Sequence, residues 1–196
     1  MHFRLLQKYH SFRWLDNYIN DNTKKMRIFI VGYMYSGKTS IGQRLAKKLG
    51  VKFFDTDTLF ESRFHISIYD FLQRYDEPTF RKLEHEVLLS TTKFDDCVIS
   101  TGGGTPCFYD NMDFMCATGL TVYLEASTNL ILSRHAKSKK TRPLLEGLSH
   151  NELEAFVQHH LDKRKPFYER ATLRFNAIDI NIDTLYKAVS ENLTDI

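Results

Sequence analysis

Residues 27–49 constrain this chain more than any other stretch. Arg27–Val31 is a short β-branched and aromatic run, and Gly32-Tyr33-Met34-Tyr35-Ser36-Gly37-Lys38-Thr39 follows it directly. Thr39–Leu49 then carries Ile41, Leu45 and Leu49 at helical spacing before Gly50 closes the segment. The eight residues fit the phosphate-loop pattern GxxxxGK[ST] in the context it needs, a strand before and a helix after. The glycines let backbone N–H groups wrap a triphosphate, and the helix start adds a dipole that favours anions. Lys38 is placed to reach the β- and γ-phosphates and the Thr39 hydroxyl to ligate Mg²⁺. Gly32 through Ser40 is therefore the expected ATP-binding segment, and a chain that carries it binds a nucleoside triphosphate.

The remainder alternates strand and helix. Val51–Phe54, Cys97–Ser100, Thr121–Leu124 and Leu173–Phe175 read as short apolar strands. Helices are expected from Asp57 onward and over Glu77–Thr91, Asn111–Ala117, Thr128–His135, Glu152–Lys163 and Thr184–Leu193. Short buried strands separated by helices predict an α/β fold, a parallel sheet of about five strands with helices on both faces. Ligands in such folds bind at the carboxyl ends of the strands. A length of 196 residues suits a single domain.

Composition narrows the partners. The net charge of +3 is too mild to imply nucleic acid or a membrane surface. The longest apolar runs, such as Ile28–Val31 and Val87–Leu89, fall far short of the roughly 20 residues that span a bilayer. Cys97, Cys107 and Cys116 are odd in number, lack CxxC spacing and lie among apolar neighbours. They read as buried thiols in a reducing compartment, the cytoplasm. Residues 1–25 form an extension whose apolar residues recur at near-helical spacing. It reads as a terminal helix packed on the domain or on a neighbouring subunit. An address signal is the weaker reading, and a start of synthesis at Met26 is a third.

Asp55 and Asp57 lie just past the second strand, on the ligand edge. Asp55 is positioned to hold a metal through its water shell, since Mg²⁺ favours a few carboxylates plus retained waters. Asp57 would face the acceptor and take a hydroxyl proton as the oxygen attacks. Gly102, Gly103 and Gly104 follow the third strand and permit close backbone approach to a ligand. Glu84 lies three residues after Arg81, so it shares a helix face and can orient it. His159 and His160 are adjacent, point about 100° apart on a helix, and read as surface rather than as a metal pair.

Taken in order, the series resembles the shikimate kinase family. It comprises GxxxxGKT, Asp55-x-Asp57, Phe80-Arg81-Lys82-Leu83-Glu84, Gly102-Gly103-Gly104, Thr141-Arg142-Pro143-Leu144-Leu145, and Arg164 followed by Pro166 and Tyr168. The resemblance covers nearly everything from Met26 to the C-terminus. It implies a three-layer P-loop kinase fold with a mobile lid over about 137–150. It also implies transfer of the ATP γ-phosphoryl group to the 3-hydroxyl of shikimate, in aromatic amino acid biosynthesis, with Mg²⁺ as cofactor. Carried over by position, Asp57, Arg81, Gly103 and Arg164 form the shikimate site, with Glu84, Gly102 and Gly104 beside them. Two guanidinium groups suit a carboxylate through planar, charge-assisted hydrogen bonds.

Within this resemblance Lys38, Asp57 and Arg142 carry the chemistry. Arg142 matches the lid arginine that meets the transferring phosphoryl group. Arg134 or His135 stands on one side of adenine, and Ile182 occupies roughly the place where the family often has proline. The expected partners are ATP and shikimate, and the expected unit is a monomer. Rival readings are a related small-molecule kinase such as a gluconate kinase, a nucleoside monophosphate kinase, and a non-catalytic nucleotide-binding module.

Overall fold

Every residue of strand β1 (Arg27–Val31) is buried, which means that the sheet is covered on both faces. The computed structural model describes residues 26–138 and 147–194. The other strands are β2 (Lys52–Asp55), β3 (Cys97–Ser100), β4 (Leu120–Glu125) and β5 (Leu173–Asn176). All pairings are parallel and the spatial order is β2-β3-β1-β4-β5. From β1 the chain steps outward to β2 and returns to β3. It then crosses to β4 and β5 on the far side, so the direction of winding reverses beside β1. Ligand sites form at such a reversal. The turns after β1, β2 and β3 share one sheet edge, and they carry the phosphate loop, the two aspartates and the three glycines.

The helices among the described residues are α1 (Lys38–Leu49), α2 (Thr56–Phe64), α3 (Ile68–Arg74), α4 (Glu77–Ser90), α5 (Asn111–Thr118), α6 (Thr128–Lys137), α7 (His150–Tyr168) and α8 (Ile182–Thr194). α1 starts from Gly37, whose φ of 97° is left-handed, and no side chain caps that end. An uncapped helix start of this kind suits an anion. The single helix expected from Asp57 onward is two helices. His65 adopts φ 54°, which ends α2, and the Ser67 side chain accepts from Asp70 N to begin α3.

Two apolar clusters hold the molecule. The larger surrounds the sheet and includes Phe29, Ile30, Leu45, Ile99, Val122 and Leu124. The smaller consists of Phe60, Phe71, Phe80 and Val87 between α2, α3 and α4, with the Phe60 ring 5.3 Å from Phe71 and 5.2 Å from Phe80. The expectation of three buried thiols needs correction: Cys97 is buried, Cys107 half-buried and Cys116 exposed. Cys116 lies near the end of an α5 face where apolar neighbours in sequence are not neighbours in space. Among the described residues no helix is long and apolar enough to cross a membrane.

Candidate active site

The phosphate loop closes on itself. Lys38 Nζ donates to the carbonyl of Tyr33 at 2.9 Å, and Ser36 N donates to the same carbonyl at 3.2 Å. Gly32 holds φ 143°, and a Cβ there would stand 2.6 Å from the Leu124 carbonyl oxygen, so only glycine fits. Tyr35 carries φ 62° without being glycine, and its ring packs edge-on to His135 at 5.4 Å. At the start of α1, Thr39 Oγ1 donates to Asp55 Oδ2 at 2.8 Å. The other oxygen of Asp55 accepts from Asp57 N at 3.0 Å and caps α2, which sets the direction of the Asp57 side chain.

The three glycines form a wall between this loop and a cluster of charge. Gly102 N donates to Thr56 Oγ1 at 3.0 Å. A Cβ on Gly102 would lie 2.7 Å from Glu84 Oε1, 2.8 Å from Thr105 Oγ1 and 3.0 Å from Asp57 Oδ1, so these three side chains converge on one point. A Cβ on Gly103 would lie 3.0 Å from Met34 N of the phosphate loop. Glu84 Oε1 accepts from Thr105 Oγ1 at 2.6 Å, and its Oε2 accepts from Arg81 Nη1 at 2.8 Å. Arg81 is buried, and its guanidinium carbon stands 4.2 Å from the Phe108 ring centroid. Burial works against its charge, but Glu84 and Glu77 outweigh that, and the group is held protonated more firmly than usual.

α7 supplies the opposite wall. The Arg164 guanidinium carbon lies 5.4 Å from the Tyr33 ring centroid. Burial pushes the Tyr33 phenol up to about 12, against the pull of Arg164, so the ring is a neutral support for that cation. Tyr168, fully buried at the end of α7, donates its hydroxyl proton to the Gly103 carbonyl and so fixes the wall from behind. Burial also pushes the Cys107 thiol up to about 11, opposed by the nearby charges of Arg164 and Arg81. Both guanidinium groups thus act on the same thiol, just past the glycines.

A family model described as shikimate kinase matches residues 34–194. The chain belongs to the shikimate kinase family. A shikimate kinase of Parabacteroides distasonis is 46% identical over 151 residues, 77% of this chain and 87% of the relative. That of Bacteroides thetaiotaomicron is 44% identical over 79% of this chain and 89% of the relative. A crystal structure of a shikimate kinase from B. thetaiotaomicron superposes with a TM-score of 0.79 at 41% identity, covering 86% of this chain and 98% of that one. A shikimate kinase from Acinetobacter baumannii, solved in complex with shikimate, gives 0.76 at 30% identity over 87% and 94%. A gluconokinase from Sinorhizobium meliloti, at 15% identity and a TM-score of 0.50, shares the fold alone.

Of the residues that the series singled out, Lys38, Thr39, Asp55 and Asp57 lie on the loop side, and Arg81, Glu84, Gly102, Gly103, Gly104 and Arg164 lie on the glycine-wall side. Arg134 donates to the carbonyls of Tyr35 at 2.9 Å and Ala177 at 2.8 Å, tying the phosphate loop to the turn after β5. Within that turn it touches Ala177, whereas Ile182 opens α8 in a shallow cleft with Arg44, Lys47 and Lys48. Arg142, most of the lid and the extension 1–25 lie outside the described residues. His160 is not a surface residue: it is half-buried, its ring lies 4.2 Å from Phe156, and burial lowers its pKa, with Arg164 next in effect. Glu77 escaped sequence reading as a site residue, although its helical spacing of four from Arg81 was a signal; Tyr168 was read only within the family series and Cys107 only as a thiol.

Proposed function

We infer that this chain transfers the γ-phosphoryl group of ATP to the 3-hydroxyl of shikimate. What carries the reading is the Arg81 guanidinium, buried, held by two carboxylates, and set against the same glycine wall as the phosphate loop. The donors left on its terminal nitrogens suit a small carboxylate acceptor beside the γ-phosphate, and a carboxylate with ring hydroxyls answers that description.

Lys38 leaves the Tyr33 carbonyl for the β- and γ-phosphate oxygens when ATP enters the loop. Asp57 accepts the hydroxyl proton as the acceptor oxygen attacks. Arg81 and Arg164 hold the carboxylate, so that the reacting hydroxyl stands in line with the γ-phosphorus. Arg142 completes this reading as the cation that meets the transferring group. Thr39 and Asp55 fit Mg²⁺ by their chemistry: hard oxygen donors, 2.8 Å apart, at the open end of the loop. When bound there the ion supplies charge neutralisation at the β- and γ-phosphates.

ADP release from Mg-ATP, measured with shikimate, gluconate or nucleoside monophosphates, tests the assignment. Strong release with shikimate alone is the expected result. Release with gluconate instead would keep the nucleotide site and overturn the acceptor. ATP binding without release for any acceptor would leave a non-catalytic module.

A further inference from the structure

Glu77 is the more exposed of the two carboxylates that hold Arg81, yet it engages more of the guanidinium than Glu84 does. One oxygen of Glu77, Oε1, accepts from Nε at 3.1 Å and from Nη2 at 2.9 Å, while Glu84 Oε2 accepts from Nη1 at 2.8 Å. A guanidinium has five N–H donors in a rigid plane. Three are occupied in this way, so the two left are one on Nη1 and one on Nη2. Glu77 takes the side edge of the plane, formed by Nε and Nη2. Each terminal nitrogen therefore keeps one N–H for a further carboxylate.

The surroundings leave the plane little freedom. Phe108 covers one face, and the Gly104 backbone approaches so closely that a Cβ would lie 2.7 Å from Nη1. The two glutamates differ in setting. The Glu84 side chain is 6% exposed and that of Glu77 55%, so water screens the charge of Glu77 while its hydrogen bonds still fix the edge. We propose that Glu77 is a positioning residue for the acceptor's carboxylate, holding the side edge of Arg81 so that the N–H groups left on Nη1 and Nη2 stand preformed for it. This rests on the reading that Arg81 clamps the acceptor.

The test compares Glu77→Gln with Glu77→Ala, each assayed against shikimate and against ATP, with thermal stability measured alongside. Glutamine keeps an oxygen that accepts both N–H bonds, and alanine does not. Alanine is expected to raise KM for shikimate about tenfold, the loss of one charge-assisted bond, with glutamine restoring it to within about threefold. KM for ATP stays within about twofold in both variants, and kcat changes less than KM for shikimate. A merely structural role at the first turn of α4 would move stability in both variants and leave KM unchanged. Equal rises in the two variants, an unchanged KM, or a lower KM in Glu77→Ala (a glutamate that competes with substrate) would each overturn the proposal. Arg81→Ala is run in parallel. An unchanged shikimate KM there overturns the clamp itself, whereas a raised one beside an unaffected Glu77→Ala overturns the positioning role alone.

Discussion

At Gly104 glycine is required by proximity and not by its dihedral angles. Its φ is −90°, open to any residue, yet a Cβ would fall 2.7 Å from Arg81 Nη1 and 2.8 Å from Nη2. Gly104→Ala therefore displaces the fork. The loss of one charge-assisted bond, about 1.5–3 kcal/mol, should raise KM for shikimate roughly 10–100-fold and leave KM for ATP alone. Steady-state kinetics with each substrate varied in turn would show it. Asp57→Asn keeps the backbone N–H that Asp55 accepts but removes the base, so kcat should fall about 10²–10⁴-fold while calorimetric ADP affinity holds. An unchanged kcat would strip Asp57 of that role. At this scale the sequence showed which glycines allow close approach but not what approaches them. Nor could it show that Tyr35 holds a left-handed φ, because the ring of His135, 100 residues away, supports it.

Among the elements, β1 and β3 have the bounds that their apolar runs suggested, since a fully buried strand shows its length in its composition. α7 does not. It runs beyond Lys163 to Tyr168 through Pro166, because a proline in the last turn removes one hydrogen bond while Tyr168 anchors the end in the core. The same helix explains His160, which adjacency alone could not place: it stands three residues after Val157, beside the stripe that α7 lays on the core, whereas His159 faces away from it. Arg27 shows how the foot of the sheet is closed. It is 3% exposed and donates to the carbonyls of Phe94 at 3.2 Å, Thr92 at 2.8 Å and Thr118 at 3.4 Å, gathering the turn before β3 and the end of α5. Arg27→Met keeps the stem but leaves those carbonyls without their donor. Its stability in urea should drop by about 1.5–3 kcal/mol, with both KM values unchanged, since the site lies at the opposite edge.

For the whole molecule, the division into two apolar clusters predicts two levels of local stability. The phenylalanine cluster of α2, α3 and α4 is small and lies off the sheet, so its amides should exchange with deuterium sooner than those of β1, β3 and β4. Shikimate should slow exchange in α2–α4 and at the end of α7, and ADP should slow it first in the phosphate loop. Uniform protection by either ligand would mean a single cooperative unit. The five-strand parallel fold was legible because alternation alone demands it. The placing of β3 between β1 and β2 was not, since periodicity carries no information about neighbours. That placing sets Gly103 against Met34, where a Cβ would stand 3.0 Å from the Met34 nitrogen, so the phosphate loop and the glycine wall must give way together to admit a methyl group. Grip on the donor and taste for the acceptor are therefore not separately heritable in this protein. A saturation library at position 103 should return glycine whichever trait is selected.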